Sequence, residues 1–403
     1  MFKINRSVPS LAMLLLLAAC RTQLVEPTPP VVVPVPPITV PPPAEAKTAS
    51  FKSLNFDAIP GWAQDNLTEA WPAFKASCTA LMNKPDWHEL CTIAQNVDGK
   101  NNDAIRQFFE AFFNPYQVIN PDGTDTGLIT GYYEPLLHGA RQRGGAFQTP
   151  LYQTPSDLLT IDMTSLYPEL KGMRLRGHVV GNKVLPYPSR ADLLQSGTLA
   201  GSEICWVDDS VDAFFLQVQG SGRVQLADSR ETIRLAYADQ NGQPYKSIGR
   251  YLVDQGELKL EQASAQGIKN WIATHPAREN EVLNANPSYV FFKEEKLIDP
   301  NQGPNGALGV ALTEKRSIAI DAKYLPLGAP VFISTSQPNS DVPIKRLMMA
   351  QDTGGAIRGA VRADFFWGFG QEAAEMAGRM KQRGMLWVLW PKLANAPPGV
   401  VAN

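Results

Sequence analysis

Three aspartates in the C-terminal quarter of the chain combine the residue type and the surroundings that acid–base chemistry needs. Asp352 and Asp364 lie twelve residues apart, and three glycines stand between them. Because a glycine pair after an aspartate permits positive φ angles and close approach of the backbone to a ligand, this segment is predicted to be an accessible loop that leaves a strand. Asp321 ends an earlier β-like run, before a Pro-Leu-Gly turn. A single aspartate in such a place is more often a turn residue or a helix cap, but three of them at strand ends favour a chemical role.

The segments that must position these aspartates change in character along the chain. Apolar residues recur every three or four positions at 68–82 and 102–113, which predicts helices. From residue 127 the period becomes two, and short runs bounded by Gly, Pro, Asn or Asp predict strands, including AFFLQVQGSGRVQL at 213–226. Helical patterns return at 247–274, and strand-like runs follow. Because helices and strands are segregated, the sequence predicts an α+β fold, mainly β, with an antiparallel or barrel-like sheet.

The first fifty residues are predicted to direct the protein to its location and not to fold. Lys3 and Arg6 precede a short apolar run that ends in Leu-Ala-Ala-Cys, which is typical of a secretory signal covering residues 1–19. The cysteine after small residues matches a bacterial lipobox, so Cys20 is predicted to be lipidated; an ordinary signal with an incidental cysteine is the alternative. The residue after Cys20 is Arg21, whereas an aspartate at this position would signal retention at the inner membrane. The sequence therefore predicts an outer-membrane lipoprotein on the periplasmic face.

Residues 20–50 are predicted to form the lipid anchor and a proline-rich linker. The run PTPPVVVPVPPITVPPPA has too many prolines for a helix or a central strand, so a semi-rigid polyproline-like stalk is expected, and a passive linker is the alternative. In an oxidising compartment Cys78 and Cys91 are close enough in sequence to pair, which leaves Cys205 free and buried.

The overall composition excludes two classes of function. The 403 residues include 37 Lys+Arg and 39 Asp+Glu, for a formal net charge of −2, and no basic block occurs, so nucleic acid is not an expected partner. The four cysteines and four histidines are scattered and show no CxxC or HExxH spacing. The sequence therefore predicts neither a metal site nor a cofactor.

Several motifs in the same order resemble one known family. The stretches GALGVALTEKRSIAIDAKYLPLGAPVFIS and MMAQDTGGAIRGAVRADFFWGFG are similar to the 3D domain, which is named for three aspartates that match Asp321, Asp352 and Asp364. Together with LITGYYEP at 128–135, FFLQVQGSGRVQL and NPSYVFF, they resemble the membrane-bound lytic murein transglycosylase A family. The resemblance covers about residues 51–392.

The resemblance implies a specific architecture. A six-stranded double-psi β-barrel would be formed by residues 51–133 and 241–403, with the 3D motif at about 306–392. A second β-rich domain, residues 134–240, would be inserted into it, with a groove between the two domains. The segment QEAAEMAGRMKQRG is predicted to be an amphipathic helix that packs on the barrel and stops at Gly384.

The resemblance also implies an activity. The family cleaves the β-1,4 bond between N-acetylmuramic acid and N-acetylglucosamine without water, so that the muramyl C6 hydroxyl attacks its own anomeric carbon and a 1,6-anhydro end results. Such an exo-lytic transglycosylase, a lyase, needs one carboxyl group that acts as acid and then as base. Asp364 matches the catalytic position, and the apolar residues 365–367 would raise its pKa. Asp352 would assist as a second carboxylate.

Further residues are predicted to bind the glycan. Aromatic rings suit sugar faces, and polar groups that alternate along a strand point to one side. The candidate substrate-binding residues are Tyr132, Tyr133, Glu134, Gln217, Gln219, Ser221 and Asp321. Three alternatives stay open: the tyrosines are ordinary strand aromatics, Glu134 is a rival acid, and Asp321 only braces a turn.

Two other function classes also stay open. An inverting glycoside hydrolase could use Asp352 and Asp364 with a water molecule. A non-catalytic lipoprotein could bind glycan and bridge the envelope and the wall. The partners that the resemblance implies are peptidoglycan glycan strands and, through the lipid, the outer membrane; cell-wall synthesis enzymes are candidate protein partners that the sequence does not identify.

Overall fold

The computed structural model describes residues 49–170, 172–297, 299–397 and 400–401. The predicted signal segment, Cys20 and nearly all of the proline-rich linker lie outside the described residues. All described residues fall in one compact unit, Lys47–Asn403. Within them, no helix combines the length and the apolar character that crossing a membrane requires.

The helices are short and lie mostly in two groups, one before the first barrel strand and one after residue 209. The α-helices of the described chain are α1 (Trp71–Leu81), α2 (Pro85–Ala94), α3 (Asn102–Phe112), α4 (Arg190–Ser196), α5 (Ser210–Gln219), α6 (Ile248–Asp254), α7 (Ala265–Thr274), α8 (Glu279–Asn284) and α9 (Gln371–Arg379). Single 3-10 turns are found at Phe56–Ala58, Trp62–Gln64, Leu67–Glu69, Pro168–Leu170, Leu260–Gln262 and Pro276–Arg278.

Strands make up most of the remaining ordered structure. The strands of the described chain are β1 (Ser50–Ser53), β2 (Phe113–Ile119), β3 (Gly127–Glu134), β4 (Leu136–Ala140), β5 (Thr149–Tyr152), β6 (Leu159–Thr160), β7 (Arg176–Val180), β8 (Lys183–Pro186), β9 (Glu203–Val207), β10 (Ser221–Leu226), β11 (Thr232–Gln240), β12 (Val290–Glu295), β13 (Ser317–Ile320), β14 (Pro330–Ser336), β15 (Pro343–Asp352), β16 (Arg362–Phe369), β17 (Lys381–Pro391) and β18 (Val400–Val401). The predicted mainly β, α+β class is confirmed.

Six strands close on themselves into a ring. The largest sheet has the order β14-β15-β13-β16-β3-β17-β2-β1-β18, and an additional antiparallel pairing between β14 and β17 joins the first six strands into a closed barrel. Closure removes the unpaired backbone groups that an open sheet leaves at its edges. The number of barrel strands agrees with the six that the resemblance implies, whereas the double-psi connectivity stays a prediction.

A second sheet of six strands follows β3 in the chain. Its order is β12-β11-β10-β4-β9-β5, and a small sheet β6-β7-β8 adds a third layer of strands. The division of the chain at residues 134 and 240 stays a prediction; the strands of this second sheet run from Leu136 to Glu295.

Two apolar clusters hold the barrel together. The inside of the ring is filled by buried aliphatic and aromatic side chains, among them Ile129, Ile318 and Phe365. A second cluster lies between the barrel wall and the three N-terminal helices, where α3 contributes Ile105, Phe108 and Phe109. The α1 and α2 helices are also joined by a disulfide between Cys78 and Cys91, and Cys205 is free and buried, which confirms the predicted pairing.

One predicted strand is wrong in its first half. Residues 213–219 belong to α5, and only the part from Ser221 onwards is a strand. The Asp209 side chain caps α5 by accepting hydrogen bonds from the N–H groups of Val211 and Asp212, and Gly220 ends the helix with φ of 84°. Because an N-cap aspartate and a C-terminal glycine are helix signals, they outweigh the β-propensity of the aromatic and branched residues between them.

The predicted end of α9 is also wrong. The helix stops at Arg379, and β17 begins at Lys381, so that Gly384 lies inside a strand. A side chain at Gly384 would approach Ile129 and the Ser334 carbonyl oxygen to 3.0 Å or less, which explains the glycine by close packing instead of by a helix stop. The expected packing of the helix on the barrel is confirmed, since Ala373 and Ala377 join the barrel core.

Candidate functional site

Asp352 and Asp364 lie in one row across the barrel wall. On the central strand β13, Ala319 pairs with Asp352 of β15 on one side and with Asp364 of β16 on the other, and Asp364 pairs in turn with Thr130 of β3. Residues that pair directly across strands project from the same face of a sheet. The barrel core fills the opposite face, so this one, which we call the aspartate face, is the outer side of the wall. Both carboxyl groups project from this face. Ala319 lies between them, and its methyl side chain leaves room between the two carboxyl groups.

A β-bulge sets the position of Asp352 in this row. The register between β13 and β15 shifts by one residue between Ile318 and Ala319, so that Gln351 is the extra residue. Its side-chain amide is buried and donates to the Ala73 carbonyl oxygen at 2.8 Å, towards the N-terminal helices. Because a bulge changes the direction of the next side chain, it turns Asp352 onto the aspartate face.

Asp352 is held by three hydrogen-bond donors. One carboxyl oxygen accepts from the backbone N–H groups of Ala307 and Thr353, both at 2.9 Å, and the other accepts from the Tyr132 hydroxyl at 3.1 Å. Burial raises the pKa of Asp352 to about 6, although these three donors lower it, and the negative charge of Asp364 raises it further. Asp352 is therefore a fixed carboxyl group whose two oxygens are both engaged.

Asp364 has a more open arrangement. The Thr130 hydroxyl donates to its Oδ1, whereas its Oδ2 accepts no hydrogen bond from the described residues. Thr130 accepts in turn from Nη2 of Arg362 at 2.9 Å. Burial raises the pKa of Asp364, while the Thr130 hydrogen bond and the positive charge of Arg362 lower it. A carboxyl group with a raised pKa and one available oxygen can donate a proton and take it back.

Apolar side chains surround this row of carboxyl groups. A small cluster on the aspartate face consists of Tyr132, Leu312, Ala319, Ile357 and Phe366. The Tyr132 and Phe366 rings are 5.1 Å apart between centroids, and the tyrosine points its hydroxyl at Asp352. The prediction that Phe365 and Trp367 raise the pKa of Asp364 is wrong, because both side chains belong to the core inside the barrel. Since strand side chains alternate, only Phe366 lies on the side of Asp364.

Asp321 does not join this pair. It follows β13 directly, and its carboxylate accepts from the backbone N–H of Lys323 at 3.1 Å and from that of Gly359 at 3.0 Å. Gly359, with φ of 119°, lies in the loop between the two other aspartates. These contacts agree with the alternative in which Asp321 braces a turn: it fixes the loop that carries the chain from Asp352 to Asp364. Its predicted contact with substrate stays a prediction.

Glu134 is a buried structural anion. Its carboxylate is paired with Arg234 at 2.6 Å and with Arg223 at 2.9 Å, and all three side chains are almost completely buried. Both arginines also donate to the Gln302 carbonyl oxygen. The geometry therefore does not bring Glu134 to an open surface, as a substrate-binding residue or a rival acid would require.

The remaining predicted glycan ligands are divided between two environments. Gln217 lies in α5, is buried, and accepts from Nη2 of Arg190 at 2.6 Å, so it does not alternate with its neighbours along a strand as predicted. Gln219 accepts from the backbone N–H of Tyr133 at 3.1 Å, which brings the end of α5 against β3. Tyr133, Gln219 and Ser221 are partly exposed and remain available to a ligand.

Three contributors to the site were not predicted. Thr130 and Arg362 reach Asp364 through the pairing of β3 with β16, and Ala307 reaches Asp352 from a loop. Thr130 and Arg362 had a signal in the sequence, because they stand two residues before Tyr132 and Asp364 and therefore share a face of the strand with them. Ala307 had none. In the described chain, no group of three or more His, Cys, Asp or Glu residues is arranged to hold a metal ion.

Two family models match the chain. The model of the MltA specific insert domain matches residues 128–293, and the model of the 3D domain matches residues 316–390. The second match contains all three aspartates, and the first contains Thr130 and Tyr132.

Known proteins resemble the chain over most of its length. The membrane-bound lytic murein transglycosylase A of Escherichia coli strain K12 is 33% identical over 71% of this chain and 70% of its own length. The crystal structure of MltA from Neisseria gonorrhoeae, in its monoclinic form, is 36% identical with a TM-score of 0.74, and the match covers 88% of this chain and 95% of that one. A structure of Escherichia coli MltA with bound chitohexaose is 28% identical with a TM-score of 0.59, covering 80% and 90% of the two chains.

Proposed function

The chain belongs to the membrane-bound lytic murein transglycosylase A family, and on this premise we propose that it cleaves the glycan strands of peptidoglycan without water. The observation that carries the proposal is the asymmetry between its two carboxyl groups. Asp352 has both oxygens engaged by fixed donors, whereas Asp364 keeps Oδ2 available beside it. A reaction whose nucleophile belongs to the substrate needs only one mobile proton, and one available carboxyl oxygen supplies it.

Asp364 acts first as the acid. Its raised pKa favours the protonated carboxyl group, and the proton passes to the glycosidic oxygen as the bond from the muramyl anomeric carbon breaks. Thr130 holds Oδ1 and so directs Oδ2 towards the sugar. The departing N-acetylglucosamine leaves with a free hydroxyl group.

Asp364 then acts as the base. The carboxylate takes the proton of the muramyl C6 hydroxyl while that oxygen bonds to the anomeric carbon, which closes the 1,6-anhydro ring and restores the protonated acid. Asp352, ionised above a pKa of about 6, supplies a fixed negative charge near the positive charge that develops on the sugar. Its three donors hold both of its oxygens in place.

The experiment that tests this proposal compares the wild-type chain with Asp364→Asn on isolated peptidoglycan. Mass spectrometry of the released fragments should find 1,6-anhydro ends with the wild type and no release with the variant, while sedimentation with insoluble peptidoglycan stays unchanged. Asp341→Asn, at an exposed position outside the site, is the matched control and should keep full activity. Full release by Asp364→Asn would refute the assignment of the acid.

An inverting hydrolase remains the second candidate because two carboxyl groups share the aspartate face. In that scheme one carboxylate activates water, and the carboxyl groups of inverting enzymes are about 6.5–9.5 Å apart. The same mass spectra decide between the two: reducing ends would support the hydrolase. Asp352 is a poor base for water, since both of its oxygens already accept hydrogen bonds.

We also propose that the enzyme works from a membrane surface. The motif that ends at Cys20 supports a lipid anchor, and the proline-rich run after it would let the catalytic unit reach the wall from the outer membrane. Labelling with a radioactive fatty acid should mark the wild type and not Cys20→Ala, and the variant should be recovered in the soluble periplasmic fraction. Recovery of unlabelled wild-type chain in that fraction would exclude the anchor.

A further inference from the structure

A pocket of about 690 Å³ is lined by residues of the segments 120–128 and 356–362 and by Arg383. Its lining includes Arg358, Arg362 and Arg383. Arg362 and Asp364 are two residues apart on β16, so they share the aspartate face at a spacing of about 7 Å along the strand. Leu128 of β3 pairs with Arg362 on one side and with Arg383 on the other. The floor of the pocket is thus the next row of the same sheet that holds the two catalytic carboxyl groups.

The pocket carries an excess of positive charge. Against three guanidinium groups, its described lining holds one carboxylate, that of Asp122. Arg358 lies 3.9 Å from Asp321, and its side chain is 60% exposed. The lining residues therefore carry more positive than negative charge.

Both arginines are fixed in place but keep donors for a ligand. Arg362 donates to the carbonyl oxygens of Leu128 and Ala363 and to the Thr130 hydroxyl. Within the described residues these bonds use three of the five N–H groups of a guanidinium. Arg383 is held through Nη2 by the carbonyl and hydroxyl oxygens of Thr126. A preorganised guanidinium with free donors is the group best suited to bind a carboxylate through two parallel hydrogen bonds.

The pocket does not suit a sugar ring. None of the described residues that line it is aromatic, so it has no flat face on which a ring could stack. Its neutral lining is small and polar, and includes Asn120, Thr124 and Thr126. The chemistry of the lining therefore selects a small anion and not a further saccharide unit.

We propose that this pocket binds a carboxylate of the muramyl substituent when the scissile bond lies at Asp364. This inference rests on the proposed function. N-acetylmuramic acid differs from N-acetylglucosamine by a lactyl ether, which carries a carboxylate itself or carries a peptide with carboxylates of its own. The three arginines would distinguish peptidoglycan from an uncharged glycan of the same backbone, and would hold the muramyl residue in register with the acid.

The test uses Arg358→Gln/Arg383→Gln and leaves Arg362 intact, because Arg362 contacts Thr130. Two substrates are compared: peptide-bearing glycan strands, and the same strands after an amidase has removed the peptides and left the lactyl carboxylates. The binding of uncharged chitohexaose is measured by calorimetry. We expect kcat/KM to fall at least about tenfold on the preparation whose carboxylate the pocket binds, as for lost charge-assisted hydrogen bonds, while the Kd of chitohexaose changes less than about twofold.

The two strand preparations identify the source of the carboxylate. A loss confined to peptide-bearing strands assigns the pocket to a carboxylate of the peptide, and a loss confined to the amidase-treated strands assigns it to the lactyl carboxylate, which is free only there. A loss on both shows that the pocket accepts either carboxylate. Unchanged kcat/KM on both, or a parallel loss of chitohexaose binding, would overturn the inference. Arg379→Gln, an exposed arginine outside the pocket, is the matched control and should behave as the wild type.

Failure of this inference is distinguishable from failure of the proposed function. If the wild type releases 1,6-anhydro ends and the double variant retains full kcat/KM on both preparations, only the pocket assignment is lost. If the wild type releases no such ends, the proposed function fails and the pocket assignment fails with it.

Discussion

Thr130 donates its hydroxyl hydrogen bond to Asp364, although 234 residues separate them in the chain. The parallel pairing of β3 with β16 brings them together, and Arg362 donates to the same hydroxyl from the other side. Because the guanidinium occupies a lone pair of the threonine oxygen, the hydroxyl hydrogen is directed at the carboxylate. Thr130 thereby stabilises the ionised form of the acid and limits how far burial raises its pKa.

Thr130→Val should shift the pH dependence of turnover. The hydrogen bond lowers the pKa of Asp364, so its removal raises that pKa and keeps the acid protonated to higher pH. We expect the alkaline limb of the kcat profile to move to higher pH, with a loss of about tenfold in kcat because Oδ2 is no longer directed. Thr130→Ser retains the hydroxyl group and should restore the wild-type profile. An alkaline limb that stays in place in Thr130→Val would contradict the role of the hydroxyl.

Asp352→Asn should stabilise the fold at alkaline pH while it weakens catalysis. A pKa of about 6 in the folded protein, against an ordinary value near 3.8, means that ionisation of Asp352 opposes folding. The stabilising effect of the neutral carboxyl is fully present below about pH 4 and is lost as pH rises through 6. The asparagine side chain does not ionise, so the variant does not lose stability as pH rises. It should gain about 1–3 kcal/mol in free energy of unfolding over the wild type at pH 8 and nothing at pH 3.5.

Urea unfolding at both pH values measures this difference. Asp341→Asn, which removes an exposed carboxylate, should show no gain at either pH. At pH 8 the kcat of Asp352→Asn should fall about ten- to a hundredfold, because the fixed negative charge is gone. A variant that is less stable than the wild type at pH 8 would show that the hydrogen bonds of Asp352 outweigh the cost of burying its charge.

Much of the fold could be predicted because its signals are local. The helices α1, α3 and α7 follow from apolar spacing, and β13 to β17 from short apolar runs bounded by turn residues. The wrong strand at α5 also has a local origin: its aromatic and β-branched residues favour a strand, whereas the capping residues Asp209 and Gly220 favour a helix. The local preference of residues for helix or strand is weak, so where it is ambiguous the helix-capping residues decide which structure forms.

The candidate site could be predicted only in part. Asp352 and Asp364 are close in sequence and share a motif, and the structure places them in one row across the barrel wall. Thr130 contacts Asp364 through strand register, Arg362 contacts Thr130, and the backbone N–H of Ala307 contacts Asp352 from a loop. One residue of slip between β3 and β16 would turn Thr130 to the other face. The same limitation explains why the ion pairs of Glu134 were not predicted. Its partners Arg223 and Arg234 lie on β10 and β11, and the sequence around Glu134 gives no sign of them.

Removal of the disulfide should lower stability and leave catalysis unchanged. Cys78 of α1 and Cys91 of α2 close a short loop in the cluster between the barrel wall and the N-terminal helices, which does not include the apolar side chains around the two aspartates. Cross-linking a loop of this length contributes about 3 kcal/mol through the unfolded chain. Cys78→Ala/Cys91→Ala should lose about that much free energy of unfolding and keep its kcat.

A reducing agent provides the control for the disulfide. The wild type in dithiothreitol should unfold at the lower urea concentration expected from the loss, whereas the double variant should not respond. Cys205→Ala, which removes the free buried thiol, should respond to dithiothreitol like the wild type. Equal effects of the reducing agent on the wild type and the double variant would show that the bond does not form in solution.

Glu134→Gln should destabilise the protein without changing the pH profile of the remaining activity. The substitution leaves Arg223 and Arg234 buried without their counter-charge, which costs about 3–5 kcal/mol when one partner of a buried ion pair is removed. Glu294→Gln breaks an exposed pair with Arg141 and should cost less than about 1 kcal/mol. If Glu134 were the proton donor, Glu134→Gln would instead abolish turnover in a protein of nearly normal stability. Urea unfolding together with kcat measured across pH separates these outcomes, because a structural anion changes the first quantity and an acid changes the second.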